Sequence, residues 1–260
     1  MRWIRFNDDG KATYGILEGA TVKVVRGNPF DGYEESGETR AFDDVKLLVP
    51  VVPNVFYAAG LNYVDHIMEH AAKSGREPNI PPEADVGYRA NNALIAHGDT
   101  IVIPKDATER VEYEAEIVVI IGKKAKDLTE ENALECVLGY TIGNDMSERT
   151  WQKNDRTLWR AKNSDTFKPM GPWIETDAKL EDMETIVRLN GEETIRFGTN
   201  KMLFSVQTFL ARMSRYIELQ PGDVVWMGTE GSSPRVKDGD VIEIEITNVG
   251  TLRNPVVRAT

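Results

Sequence analysis

Cysteine is nearly absent from this sequence. The single one, Cys136, leaves no disulfide possible within the chain. It sits in Asn-Ala-Leu-Glu-Cys-Val-Leu, where a buried thiol that simply packs is expected. Histidine is scarce too, with three in 260 residues. No stretch approaches the ~18 uninterrupted apolar residues of a membrane span. The opening Met-Arg-Trp-Ile-Arg-Phe alternates apolar and basic residues like a strand and lacks the apolar run of a secretory signal. A cytoplasmic protein that does not engage a membrane is expected. Basic residues are outnumbered, 31 Lys and Arg against 42 Asp and Glu, for a formal charge of −11. That argues against nucleic acid, which rewards clustered Lys and Arg. Small anionic substrates stay open, since a metal or a local basic cluster can reverse the field inside a pocket. Repeats and low-complexity segments are missing as well, so fold class rests on the pattern of elements.

What is present reads as mostly strand. Arg2–Phe6, Thr13–Leu17 and Ala20–Val25 are short strands parted by Asp-Asp-Gly and Glu-Gly turns. An irregular acidic stretch, Asn28–Asp43, follows, and Pro50 and Pro53 bracket a junction to the main body. Leu61, Val64, Met68 and Ala71 recur at helical spacing, and Ser74-Gly75 with Pro78, Pro81 and Pro82 end that helix. Ala93–Ile95, Ile101–Ile103 and Val111–Ile121 are strands, the last closing on five apolar residues. Thr129 is placed as the N-cap of a helix running through Leu138, with Gly139 as its stop. Met202–Ile217 has a second amphipathic pattern, and Val224–Met227, Val241–Thr247 and Leu252–Val257 supply the last strands. The expected class is α+β and β-rich.

Glu112, Glu114 and Glu116 stand two apart on the Val111–Ile121 strand, so they point to one face. Exposed edge strands often carry charge in this way. This one continues as Ile117–Ile121, apolar on both faces, which is the mark of a buried strand. A buried end that projects carboxylates needs a cation against their repulsion and desolvation. Asp145, ending a later strand, can add a third carboxylate. Such an all-oxygen set suits Mg²⁺, Mn²⁺ or Ca²⁺ better than zinc. His66 and Glu69, three apart on the first helix, form either a surface pair or a dyad in which the carboxylate orients an imidazole that takes a proton from water. Arg149, Gln152 and Lys162 either form salt bridges or hold a substrate carboxylate and a developing enolate.

Several motifs taken in order carry a resemblance. They are Gly60-Leu61-Asn62-Tyr63 with His66 and Glu69; Val111-Glu112-Tyr113-Glu114-Ala115-Glu116; Gly139-Tyr140-Thr141 leading into Asn144-Asp145-Met146-Ser147; Lys162 before Asp165-Thr166-Phe167; and Gly171-Pro172. Pro221-Gly222-Asp223, Met227-Gly228-Thr229 and Gly239-Asp240 complete the set. From about Asn54 to the C-terminus the chain resembles the fumarylacetoacetate hydrolase family. The resemblance implies a mixed β-roll, a small N-terminal β domain over 1–48, a catalytic domain over 49–260 and a homodimer. It implies Mg²⁺ or Mn²⁺ on Glu114, Glu116 and Asp145, and His66 with Glu69 as a water-activating pair on a lid. It further implies Lys162 facing an oxyanion, Arg149 and Gln152 facing substrate, and Thr229 at the pocket floor.

The implied chemistry is hydrolysis of a carbon–carbon bond in an acylpyruvate or other 2,4-dioxo acid. Isomerisation of a hydroxymuconate-type dienoate, decarboxylation of oxaloacetate and hydration of a 2-oxo enoic acid are sister reactions of such a site. A metal-stabilised binding protein without catalysis is the rival from another class. Two departures stand out. Tyr88-Arg89-Ala90 replaces the Phe-x-Lys of many members, and Gly228-Thr229-Glu230 replaces their Gly-Thr-Pro. Both point to a substrate unlike the commonest ones.

Overall fold

A computed structural model describes every residue except Arg76 and Ser232, and every side chain of the rest except those of His66, Glu69, His70, Lys73, Ser74 and Asp182. Strand occupies 44% of the chain and helix 16%, so the β-rich α+β class holds. Among the described residues no helix is long and apolar enough to cross a membrane. A 12-stranded sheet runs in the order Gly32–Ala41, Thr21–Asn28, Lys11–Glu18, Arg2–Asp8, Lys168–Glu175, Val137–Asn144, Ala115–Ile121, Val224–Trp226, Phe56–Ala59 and Val86–Tyr88, with two short strands off this path. A five-stranded sheet runs Glu192–Gly198, Glu184–Leu189, Val241–Ile246, Gly250–Arg258 and Ile101–Ile103. The N-terminal strands enclose a small core of Ile4, Phe6, Leu17, Val22, Val24 and Leu47. They join the long sheet where Trp3 pairs with Ile174.

Ala115–Ile121 is the axis of the molecule and is buried at every position. Ile117, Val119 and Ile121 enter the main core. Val118 and Ile120 pack on the opposite side with Trp226 and Phe56. Five fully buried aliphatic side chains are worth on the order of 10 kcal/mol together. That is enough to hold the strand in place although its first turn of chain carries acids.

Four expected elements are corrected. Gly32–Ala41 is a ten-residue strand, not irregular. It is mostly exposed, so no apolar alternation marks it, and its charges are those of a sheet edge. No helix spans Thr129–Leu138. Asn132 Oδ1 accepts the Thr129 N–H at 2.9 Å, a 3-10 turn covers Ala133–Cys136, and a strand starts at Val137. Gly139 is there for close packing, since a Cβ on it would lie 2.5 Å from the Glu175 carbonyl oxygen. The later helix begins at Val206 rather than Met202, because the Ser205 side chain caps it by accepting the Thr208 N–H. Among the described side chains of the Val64–Ser74 helix the buried ones are Ile67 and Ala71, following Tyr63 at its cap, whereas Met68 and, ahead of the helix, Leu61 are exposed. The helix does stop as expected, at Gly75 with φ of 64°.

Candidate metal centre and active site

Strand register brings the acids together. Val137–Asn144 runs antiparallel to Ala115–Ile121, with Ala115 opposite Asn144 and Glu116 opposite Gly143. The residue after one strand therefore meets the residue before the other, and the Asp145 N–H donates to the Glu114 carbonyl at 2.8 Å. On the other flank Val118 faces Trp226, so the chain leaves the Val224–Trp226 strand beside the acids. There the Gly228 N–H donates to Glu116 Oε2 at 2.7 Å. Carboxylate oxygens of Glu114, Glu116 and Asp145 come within 4.8 Å of one another, all three side chains buried.

Cations ring this triad. Lys162, 5% exposed on the Trp159–Asn163 helix, places its ammonium 2.5 Å from Glu114 Oε2 and 2.9 Å from Asp145 Oδ2. Arg89 donates to Asp145 Oδ2 from Nε at 3.1 Å and Nη2 at 2.8 Å. The fully buried Lys168 lies 2.6 Å from Asp145 Oδ1 and donates to the Phe167 carbonyl. Arg149 donates to Glu112 at 2.8 Å, to Glu114 at 2.7 Å and to Gln152 Oε1 at 2.9 Å. Its short helix is capped by the buried Glu148, which accepts the Trp151 N–H and the Thr108 hydroxyl.

These neighbours push the acids apart. Burial acts to raise Asp145, but Arg89, Lys162 and Lys168 hold it well below the usual carboxylate range. Glu116 goes the other way, pushed up to about 8 by burial and by the charges of Asp145 and Glu114. Burial lowers Lys168 to about 8 despite Asp145. Among the described residues no Lys or Arg forms an ion pair with Glu116. A fully buried acid that faces two others and is satisfied by one N–H is what a bound cation would relieve. With three hard oxygen donors, the residues present fit a divalent ion such as Mg²⁺ or Mn²⁺.

The structure gathers most of the residues singled out from sequence. Glu114, Glu116, Asp145, Lys162, Arg149 and Gln152 form one connected network. Thr229 lines a narrow cavity with Glu114, Arg149 and Glu230. Arg89 joins through Asp145. Glu112 does not enter the triad, because the strand is interrupted at Tyr113-Glu114 and Glu112 pairs with Arg149. His66 and Glu69 lie on the Val64–Ser74 helix, and their side chains fall outside the described ones. That helix starts close to the triad, since the Asn62 side-chain amide donates to the Met227 carbonyl at 2.9 Å, next to the Gly228 N–H that donates to Glu116; burial and the charges of Glu230 and Glu116 push the Tyr63 hydroxyl up. Lys168 was missed, and its signal was a lysine inside the apolar run Phe167-Lys168-Pro169-Met170. Cys136 is buried and free, as expected.

Comparison with known proteins follows the same lines. A family profile described as fumarylacetoacetate (FAA) hydrolase C-terminal matches residues 55–257, and one described as Rv2993c-like, N-terminal matches residues 1–50. A 2,4-didehydro-3-deoxy-L-rhamnonate hydrolase from a Sphingomonas species is 36% identical over 85% of this chain and 77% of its own. The mitochondrial oxaloacetate tautomerase fahd2 of Xenopus laevis is 35% identical over 82% of this chain and 69% of its own. Among solved structures, a 5-carboxymethyl-2-hydroxymuconate delta-isomerase from Mycobacterium smegmatis matches with a TM-score of 0.90 and 33% identity over the whole of both chains. A maleylpyruvate hydrolase from Sphingobium, solved with manganese(II) and pyruvate, matches with a TM-score of 0.81 and 25% identity, again over both whole chains.

Proposed function

Because this chain belongs to the fumarylacetoacetate hydrolase family, we propose that it is a divalent-metal-dependent enzyme that hydrolyses a carbon–carbon bond in an acylpyruvate or other 2,4-dioxo acid. One observation carries the proposal: Glu114, Glu116 and Asp145 meet in a sheltered place with Lys162 bridging two of them. These acids would hold Mg²⁺ or Mn²⁺, which when bound supplies Lewis-acid polarisation of the substrate's adjacent carboxylate and 2-oxo oxygens. Arg149 and Gln152 orient the substrate, and Thr229 forms the floor. Glu69 orients His66, which takes a proton from the water that attacks the distal carbonyl. As the bond between C3 and C4 breaks, its electron pair passes to the 2-oxo oxygen, where the Lys162 ammonium donates to the developing charge. A homodimer is part of the same proposal.

A second reading, isomerisation or tautomerisation of a 2-oxo acid without attack by water, is favoured by the names of the Xenopus and M. smegmatis proteins. A product assay separates the readings, using acylpyruvates, oxaloacetate and a hydroxymuconate with Mg²⁺, with Mn²⁺ and with chelator. Release of pyruvate and a carboxylic acid from an acylpyruvate, abolished by chelator, is the expected result. Turnover of the muconate or oxaloacetate alone supports the second reading, and no turnover of any substrate supports a binding protein. His66→Ala is expected to lower turnover by roughly 10²-fold while metal affinity, read by calorimetry, stays near the wild-type value. Unchanged turnover would remove His66 from the mechanism.

A further inference from the structure

The two oxygens of Asp145 are used unequally. Oδ2 accepts from Arg89 Nε at 3.1 Å, from Arg89 Nη2 at 2.8 Å and from the Lys162 ammonium at 2.9 Å. A carboxylate oxygen offers about two lone pairs, so three donors leave Oδ2 nothing for a further ligand. Oδ1 belongs to the same buried side chain, yet among the described residues no group donates a hydrogen bond to it. Its ion-pair partner is the Lys168 ammonium at 2.6 Å. That ammonium aims its hydrogen bonds elsewhere, at the Phe167 carbonyl at 2.9 Å and the Met146 carbonyl at 3.3 Å. Lys168 therefore faces Oδ1 as a charge rather than as a donor.

The backbone holds that charge in place. Lys168 is fully buried and opens the strand Lys168–Glu175, where it pairs with Leu94. The Met146 N–H donates to the Phe167 carbonyl at 3.1 Å, which ties the turn carrying Asp145 to the strand start carrying Lys168. A buried oxygen that receives no hydrogen bond is rare and calls for a partner. A divalent ion among the three acids would supply one. A positive charge fixed beside the same oxygen repels that ion, and does so strongly where water is excluded. It also draws on the charge that Asp145 would give the ion, as neighbours of a ligand do. The ion then keeps more attraction for an anionic head group. We propose that Asp145 receives the ion on Oδ1 and that Lys168 is a positioning residue acting through it, which weakens the protein's hold on the metal and strengthens the metal's hold on the substrate. The inference rests on the metal-dependent 2-oxo acid reading above and deepens it, since it names the oxygen and the cation that set the ion's strength.

Calorimetry on Lys168→Met, which removes the charge and keeps an unbranched side chain, tests this. Mn²⁺ is titrated into the metal-free protein, and pyruvate into the Mn²⁺-loaded protein. Mn²⁺ is expected to bind the variant about tenfold more tightly than the wild type, and pyruvate about threefold more weakly. Loss of a merely structural contact would loosen both. Mn²⁺ binding that is unchanged or weaker in the folded variant overturns the inference, and so does pyruvate binding that is unchanged or tighter. In both cases binding of Mn²⁺ and pyruvate by the wild type leaves the reading above standing. Should the variant not fold, crystals of the wild type soaked in Mn²⁺ decide. An ion on Oδ1 supports the inference, and an ion on Oδ2 alone overturns it. Failure of the wild type to bind Mn²⁺, or to bind pyruvate once Mn²⁺ is in place, overturns that reading and the inference together.

Discussion

Glu116 is the residue on which the site's chemistry turns. It is buried at 2% exposure, faces two other acids, and is pushed up to about 8. Its sign follows from linkage. Between about 4.5 and about 8 the folded, metal-free chain binds a proton at Glu116 that the unfolded chain has released. Stability from this group is therefore full below 4.5 and is lost as pH rises through that window. Asp145, held low by Arg89, Lys162 and Lys168, works oppositely and matters only in acid. Glu116→Gln is accordingly expected to melt above the wild type at pH 8 without metal, and close to it at pH 5. The same variant should weaken Mn²⁺ binding by tenfold or more, an order-of-magnitude figure for loss of one ligand. Thermal melts at both pH values with a Mn²⁺ titration check this, and a variant less stable at pH 8 would show that the carboxylate is a structural anion.

At this scale the acids were legible because carboxylates beside a wholly apolar strand have no packing role. Lys162 and Arg149 were legible chiefly through family motifs. Lys168 was not, since a lysine in a strand ordinarily reads as exposed. Arg89 stood out only as a departure from the Phe-x-Lys pattern, and the structure shows it paired with Asp145.

Among elements, three neighbouring strands build the site, and their spacing depends on side chains that are missing. Gly143, opposite Glu116, leaves room for the Trp226 ring, because a Cβ there would lie 2.6 Å from it. Gly143→Ala should therefore cost about 1–3 kcal/mol of stability, measured by urea denaturation. Gly60→Ala, whose Cβ would meet nothing closer than 3.9 Å, serves as the mild comparison. Equal costs would mean that Trp226 can retreat and does not fix the strands. Element type was readable where burial shapes the sequence, as an unbroken apolar run in Ala115–Ile121 and as helical spacing in the Val206–Tyr216 helix. It was hidden in Gly32–Ala41, whose backbone hydrogen bonds to a neighbour define it while its side chains stay in water. It was misread at Thr129–Leu138, where Gly139 looked like a helix stop but serves close strand packing.

For the molecule as a whole, strand register does what no local pattern announces. Glu114 and Asp145 are 31 positions apart in sequence, yet antiparallel pairing puts them side by side. The strand-rich class was readable from the sequence, but the pairing order that joins the N-terminal strands to Lys168–Glu175 was not, because it depends on contacts between distant segments. The claim beneath every functional statement is that Glu114, Glu116 and Asp145 share one divalent ion. Diffraction from crystals soaked in Mn²⁺, recorded for manganese anomalous scattering, tests it most directly. The account predicts a single strong peak with one oxygen of each acid at about 2.1 Å, the spacing of a small hard cation. A peak elsewhere, or none at the triad at saturating Mn²⁺, would contradict it.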